Sequence, residues 1–169
     1  METEVKILEV DPEKVILTLE SLNARLVFDG VLQAVFFDRG TQLRDAKRTL
    51  RVRTEGSDCI ISVKVLHESA NYKTSDEYEF SGSFDDAIAA LTALGFEEFA
   101  RSTKHRTSYR LPRFQVDIDR YLDDTFVPPF LEIEGEPEAI ELAIDELDLR
   151  DHRCEAWSGS QLREFYALR

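Results

Sequence analysis

The chain has little of what marks secreted or membrane-spanning proteins. Its 169 residues include two cysteines, and no apolar run approaches the roughly 20 residues that a membrane-spanning helix requires. No basic and apolar leader stands at the N-terminus. We therefore expect a cytoplasmic protein with no membrane association, organised as one domain over residues 1–169. Cys59 and Cys154 show no metal-ligand spacing, and we predict that both are buried as small apolar side chains.

Positive charge is also scarce. Lysine and arginine together number 21 against 34 acidic residues, which gives a net charge of −13. Because a phosphate backbone attracts basic surfaces, this balance argues against a nucleic-acid partner. The few clustered cations are therefore expected either to meet a small anion or to pair locally with acids.

Alternation and turn signals divide the chain into many strands with helices inserted between them. Strands are predicted over residues 2–9, 31–38, 48–54, 59–65, 74–80, 96–109, 113–121 and 130–135. Helices are predicted to begin at Asp11, Ser83, Glu136 and Ser158, the last one spanning about residues 158–168, and the stretch before Lys47 is predicted as a turn. Many strands at short spacing favour an α+β fold with a largely closed antiparallel sheet.

Nearly every predicted strand carries charges two residues apart. Such side chains point to the same face of a strand, and apolar residues occupy the other face. The charged positions are Glu2, Glu4, Lys6, Arg51, Arg53, Lys64, Glu77, Glu79, Lys104, Arg106, Asp117, Asp119, Glu132 and Glu134.

These charges have two interpretations. For any single strand, a face turned to water is the simpler one. Across the set, however, helices need the apolar faces to pack on, which turns the charged faces toward each other if the sheet closes. Such an interior suits a charged ligand, because paired carboxylates bind Mg²⁺ or Mn²⁺ while arginine and lysine bind phosphate.

In their order along the chain, these motifs resemble the CYTH superfamily, also called the triphosphate tunnel metalloenzymes, which is named for class IV adenylyl cyclases and thiamine triphosphatases. The chain begins with the ExExK pattern of that family, Glu2-Thr3-Glu4-Val5-Lys6. The others follow in the family's order: Arg51-Val52-Arg53, Lys64, Glu77-Tyr78-Glu79, Lys104-His105-Arg106, Asp117-Ile118-Asp119 and Glu132-Ile133-Glu134. The resemblance covers about residues 1–135 well and the helical tail more loosely.

The resemblance implies a closed eight-stranded antiparallel β-barrel, a tunnel, with helices packed outside and Mg²⁺ or Mn²⁺ as cofactor. It implies metal binding by Glu2, Glu4, Glu132 and Glu134, with Asp117 and Asp119 nearby. It also implies phosphate binding and catalysis by Lys6, Arg51, Arg53, Lys64 and Arg106, with Lys104, Glu77 and Glu79 lining the tunnel. A homodimer is expected by family analogy alone.

The remaining histidines and aromatic residues are predicted to lie outside the site. His105 alternates outward between two charged neighbours, and His67 and His152 fall in predicted loop or tail. Trp157 and Tyr166 admit a base-stacking role, but a lone tryptophan near a terminal helix more often docks that helix.

The resemblance predicts a metal-dependent triphosphate phosphohydrolase acting on inorganic triphosphate, thiamine triphosphate or a nucleoside triphosphate. A class IV adenylyl cyclase is the close alternative, because both reactions need the same metal and cations. A non-catalytic polyphosphate or nucleotide binder and a purely structural acidic domain are further alternatives. We also expect Glu4→Gln to abolish activity without loss of stability, because crowded carboxylates raise one another's pKa.

Overall fold

The computed structural model describes residues 1–69 and 71–168 and has an α+β fold. The strands of this described part are β1 (Glu2–Ile7), β2 (Arg25–Asp38), β3 (Arg48–Glu55), β4 (Asp58–His67), β5 (Lys73–Ser81), β6 (Glu97–Arg110), β7 (Phe114–Tyr121), β8 (Phe130–Gly135) and β9 (Cys154–Glu155). Its helices are α1 (Pro12–Ser21), α2 (Gln42–Asp45), α3 (Phe84–Ala93), α4 (Pro137–Glu146) and α5 (Gly159–Ala167).

The first eight strands close into an antiparallel barrel. Around the barrel the order is β5-β4-β3-β2-β6-β7-β8-β1, and pairing of β1 with β5 completes the ring. In this last contact Glu2 lies opposite Ser75, and Glu4 lies opposite Lys73. The ninth strand pairs with the end of β1 that lies beyond its pairing with β5, and Lys6 there lies opposite Glu155. The predicted eight-stranded closed barrel is confirmed, and the short ninth strand is an addition that the sequence analysis did not predict.

Apolar side chains cover the outside of the barrel, where the helices pack. Beneath α4 and α1, Val5, Val116 and Ile133 are buried together with Ile140 of α4. A second cluster joins Val52 of β3 to the inner face of α3. Because burial of these apolar faces against helices is favourable, the alternate, charged side chains are left on the inside of the barrel.

Helix starts follow the capping signals of the sequence. Asp11 accepts hydrogen bonds from the backbone N–H groups of Glu13 and Lys14, and Ser83 accepts one from Asp86. Ser158 forms a reciprocal capping box with Gln161. These three predicted helix starts are confirmed.

Three local predictions are wrong, and in addition β2 begins at Arg25 rather than at residue 31. The polar stretch before Lys47 is not only a turn, because it contains the helix α2. Cys154 is exposed rather than buried, because it lies on the edge strand β9, whereas Cys59 is buried as predicted. His67 is the last residue of β4 rather than part of a loop.

The helix α2 is held by a single buried acid, Asp38. Its carboxylate accepts hydrogen bonds from the backbone N–H groups of Arg39 at 2.7 Å and Leu43 at 2.8 Å, and from Nε of Arg44 at 2.9 Å. Burial opposes ionisation of Asp38, but these hydrogen bonds outweigh it and lower its pKa to about 2.

We expect Asp38→Asn to lower the melting temperature by a few degrees at pH 7. Because the pKa of Asp38 is lower in the folded chain than its usual 3.8, the stabilisation is complete above about pH 4 and is lost as the pH falls toward 2. Thermal unfolding followed by circular dichroism at pH 7 and at about pH 3, the middle of that window, measures this. Asp45→Asn, in the same helix, is the control; an equal effect of the two variants contradicts the prediction.

Candidate functional site

The charged side chains predicted from the strand alternation line the inside of the barrel. Lys64 of β4 pairs with Glu2 of β1 at 2.6 Å, although β5 lies between these strands. Arg106 of β6 likewise contacts Glu132 of β8 across β7. Side chains can meet across an intervening strand only on the concave, interior face of a closed sheet. The structure therefore brings the predicted site residues into one tunnel.

Glu4, on the inner face of β1, is surrounded by lysines. The Nζ atom of Lys73 is 2.7 Å from Oε1 of Glu4, that of Lys6 is 3.3 Å from the same atom, and that of Lys64 is 3.9 Å from Oε2. Burial opposes ionisation of Glu4, but Lys6, Lys73 and Lys64 together lower its pKa to about 2. Glu4 is therefore a carboxylate that is fully ionised at neutral pH.

A second centre forms around the guanidinium group of Arg106. Its Nη1 contacts Asp117, and its Nη2 contacts Glu132 and lies 2.6 Å from Oδ2 of Asp119. Despite burial, these three acids raise the pKa of Arg106 well above its usual value. Lys104 lies beside Asp119 and Glu132 as well, and burial and Arg106 lower its pKa. Asp117 and Asp119 thus orient Arg106 in this state, and their expected metal role stays a prediction.

One part of the tunnel carries positive charge that its acids do not fully balance. Arg51 lies 3.3 Å from Glu77, and Arg53 lies 3.1 Å from Glu79. Burial of Arg51 and repulsion from Arg53 nevertheless outweigh Glu77 and lower the pKa of Arg51 to about 10. We call Arg51 and Arg53 the cationic pole. An anion bound here would relieve the repulsion.

Another part of the tunnel carries unbalanced negative charge. Partial burial of Glu134 and the nearby carboxylates of Glu2, Asp117 and Glu4 raise its pKa to about 7, although Lys64 opposes them. Burial also raises the pKa of Glu2, against the attraction of Lys64. We call Glu2 and Glu134 the acidic pole. A cation bound here would relieve the repulsion between carboxylates.

The acidic pole contains carboxylate oxygens that can bind a divalent metal, but these oxygens are not arranged around one metal position. Carboxylate oxygens are the ligands that Mg²⁺ and Mn²⁺ prefer. Among the described residues, no three histidine, cysteine, aspartate or glutamate side chains already surround one metal position. Glu2 and Glu4 are instead turned to lysines, so a metal has to replace ammonium groups there. The residues present fit a divalent cation by chemistry and by their uncompensated charge.

Two features of the tunnel were missed by the sequence analysis. Lys73 lies inside it, two residues before Ser75 in the same alternation, but the predicted strand began one residue too late. Strand β2 contributes an apolar wall, because Phe36 pairs with Arg51 and Ala34 pairs with Arg53. The alternation of uncharged residues along β2 could have predicted this wall, but it contains no charged pair that would have drawn attention to it.

The structure agrees with the predictions for His105 and Trp157. His105 lies outside the tunnel, with Nε2 at 3.5 Å from Asp29. The ring of Trp157 lies 4.9 Å from that of Phe165 in α5, so Trp157 docks the terminal helix as predicted. These contacts of His105 and Trp157 are with residues outside the charged interior.

A closed eight-stranded antiparallel tunnel with a charged interior defines the class of the triphosphate tunnel folds. The family model of the CYTH domain matches residues 1–166, and the chain belongs to this family. Members of the family are generally triphosphate-acting enzymes that depend on divalent cations. No curated protein matches the chain. No described helix has the length and apolar character to span a membrane.

Solved structures with this fold come from several organisms. The PH1012 protein from Pyrococcus horikoshii OT3 is 24% identical with a TM-score of 0.80, covering 96% of this chain and 99% of its own. A putative adenylate cyclase from Vibrio parahaemolyticus is 17% identical with a TM-score of 0.77, covering 96% and 97%. HpAC1 from Hippeastrum, a putative adenylyl cyclase described with a dominant triphosphatase activity, is 17% identical with a TM-score of 0.72, covering 98% and 96%. Because these structures are between 17% and 24% identical to the chain, their similarity to it shows the fold alone.

Proposed function

We propose that this protein is a metal-dependent triphosphate phosphohydrolase. The observation that carries the proposal is geometric: the closed barrel turns the arginines of the cationic pole and the carboxylates of the acidic pole toward one interior. The lowered pKa of Arg51 and the raised pKa of Glu134 agree with this separation of charge. A triphosphate bridged to a divalent cation presents negative phosphate oxygens and a positive metal together. It therefore relieves both poles at once, which neither a bare anion nor a bare cation does.

The residues of the chain divide the work of binding such a ligand. Arg51 and Arg53 present guanidinium groups, which can each donate two hydrogen bonds to a phosphate. Lys6 and Lys64 supply point charges from the neighbouring walls. Glu2, Glu4 and Glu134, with Glu132, would hold the metal. A bound divalent cation would polarise the phosphate oxygens and offset the charge that builds during phosphoryl transfer.

The tunnel walls provide preorganisation. The interior cations are already fixed by acids of neighbouring strands, so little reorganisation is needed when charge develops on the transferring phosphoryl group. Asp117 and Asp119 hold the guanidinium of Arg106 toward the interior. This arrangement favours stabilisation of developing charge as the main catalytic contribution of the protein.

A second candidate is an adenylyl cyclase. The apolar wall of β2, with Phe36 and Ala34 beside Arg51 and Arg53, offers a surface for an organic group next to the phosphate-binding arginines. In a cyclase the 3′-hydroxyl of ATP attacks the α-phosphate and pyrophosphate leaves. In a hydrolase water attacks the terminal phosphate. Both reactions use the same poles, so the products distinguish them.

Product analysis tests the proposal. The purified protein is incubated with Mg²⁺ or Mn²⁺ and with ATP, thiamine triphosphate or inorganic triphosphate, and the products are followed by ³¹P nuclear magnetic resonance. We expect orthophosphate and the matching diphosphate, and no turnover when the metal is chelated. Cyclic AMP with pyrophosphate as the main products would overturn the hydrolase in favour of the cyclase. Tight binding of triphosphate without any product would indicate a binder.

A further inference from the structure

Lys73 is a tunnel residue that none of the charged-pair motifs includes. It lies opposite Glu4 where β5 meets β1, and its side chain is 18% exposed. Its Nζ atom donates a hydrogen bond of 2.7 Å to Oε1 of Glu4. Glu4 is one of the proposed metal ligands, so Lys73 occupies a carboxylate oxygen that a metal would use.

The three lysines around Glu4 differ in their other partners. Lys6 also pairs with Glu132 at 2.8 Å. Lys64 also pairs with Glu2 at 2.6 Å and with Glu77 at 3.1 Å. For Lys73, Glu4 is the only carboxylate in ion-pair distance within residues 1–69 and 71–168.

A metal on Glu4 therefore affects these lysines unequally. Lys64 keeps Glu77, which is not a proposed metal ligand, whereas Lys73 keeps none of the carboxylates that the structure pairs it with. The other partner of Lys6, Glu132, is itself a proposed metal ligand, and Lys6 is already counted among the phosphate-binding residues. A largely buried ammonium group without an anion is unfavourable. Lys73 thus opposes the binding of metal alone and needs a new anion when metal is bound.

A phosphate oxygen of the metal-bridged ligand is the anion that arrives with the metal. The ammonium group of Lys73 stands on a flexible four-carbon stem with rotatable donors, so it can turn from Glu4 to an oxygen bound beside it. We propose that Lys73 is a further polyphosphate-binding residue, which neutralises Glu4 in the empty tunnel and moves to a phosphate oxygen when a divalent cation takes Glu4. This inference rests on the proposed function.

The consequence is a coupling between two ligands. Metal alone binds weakly because it must displace Lys73, and polyphosphate alone binds weakly because Lys73 stays on Glu4. Each ligand strengthens the binding of the other. A metal on Glu4 releases Lys73 to bind phosphate, and a phosphate on Lys73 releases Glu4 to bind metal. The protein then takes up metal and triphosphate together rather than storing metal in the empty tunnel.

Calorimetric titration of Lys73→Met tests this coupling. We expect the variant to bind Mn²⁺ alone about tenfold more tightly than the wild type, and inorganic triphosphate with Mn²⁺ about tenfold more weakly. Lys73→Arg should restore most of the affinity for triphosphate. Lys47→Met is the control, because Lys47 is a lysine that pairs with Glu68 on the exposed surface, and the change should alter neither constant.

The possible outcomes separate this inference from the proposed function. If the wild type binds Mn²⁺ but no triphosphate, the proposed function is wrong and the phosphate role of Lys73 falls with it. If the wild type binds both and Lys73→Met has unchanged constants, only the role of Lys73 is wrong. Weaker binding of Mn²⁺ alone by Lys73→Met also overturns the inference. Lys73→Gln replaces the methionine variant if the latter does not fold.

Discussion

Replacing Arg51 with methionine is expected to lower kcat/KM for the preferred triphosphate by about 10²- to 10³-fold, without loss of stability. The loss follows because Arg51 lies at the cationic pole, where a phosphate is bound in the proposed mechanism. Stability is retained because burial and Arg53 already disfavour the charge on Arg51 in the empty tunnel. Removing that charge should leave the melting temperature unchanged or raise it.

Steady-state kinetics with thermal unfolding of the same preparations measures both effects. Arg101→Met is the matched control, because Arg101 lies on β6 but pairs with Glu98 on the exposed surface. The control should retain the activity of the wild type. A large fall in the melting temperature of Arg51→Met, or unchanged activity, would show that Arg51 has a structural role instead.

Glu4→Gln is expected to abolish metal-dependent turnover, with a fall of at least about 10³-fold, and to destabilise the empty protein by roughly 3 kcal/mol. The first effect follows from the loss of a central metal ligand. The second follows because Lys6, Lys73 and Lys64 lose the anion between them. The sequence-based expectation of unchanged stability assumed a raised pKa, whereas the pKa of Glu4 is lowered, and we therefore predict destabilisation instead.

The dependence on pH follows from the same contact. Because the pKa of Glu4 is about 2 in the folded chain against a usual 4.5, its stabilisation is present above about pH 4.5 and is lost as the pH falls toward 2. Glu134→Gln is the comparison, since it removes charge from the acidic pole, where the pKa is raised to about 7. Chemical unfolding at pH 7 should show Glu4→Gln below the wild type and Glu134→Gln at or above it. The reverse order contradicts this assignment of charges.

The closed barrel and most of its interior could be predicted because strand alternation is local. Glu2, Glu4 and Lys6 show their common face within one strand, as do Arg51 and Arg53. A face of two like charges, repeated on strand after strand with helices between, leaves few other arrangements. The order of the motifs along the chain then indicated the family.

The pairing inside the tunnel could not be predicted, because it depends on register between strands that are distant in sequence. Contact between Glu4 and Lys73 requires the closing pair of β1 and β5, which no local pattern specifies. For the same reason the sequence alone shows Glu4 only as one of several crowded carboxylates. Only the register shows that Glu4 is neutralised by lysines while Glu134 is not.

Short elements on the outside were missed for a different reason. The helix α2 depends on the carboxylate of Asp38, which ends β2 and caps the following turn through Leu43 and Arg44. The strand β9 has two residues and forms only because β1 extends past β5. Neither element is long enough to produce a periodic pattern, so the sequence contains no sign that Cys154 lies on an exposed edge strand.

The central claim is that the tunnel binds a metal-bridged triphosphate between its two poles. Its most direct test is a calorimetric titration of inorganic triphosphate into the wild-type protein, with Mn²⁺ present and after chelation, repeated with Arg51→Met. We predict micromolar binding that requires Mn²⁺ and is lost in Arg51→Met. Absence of binding by the wild type, or binding that neither the metal nor Arg51 affects, would contradict the claim.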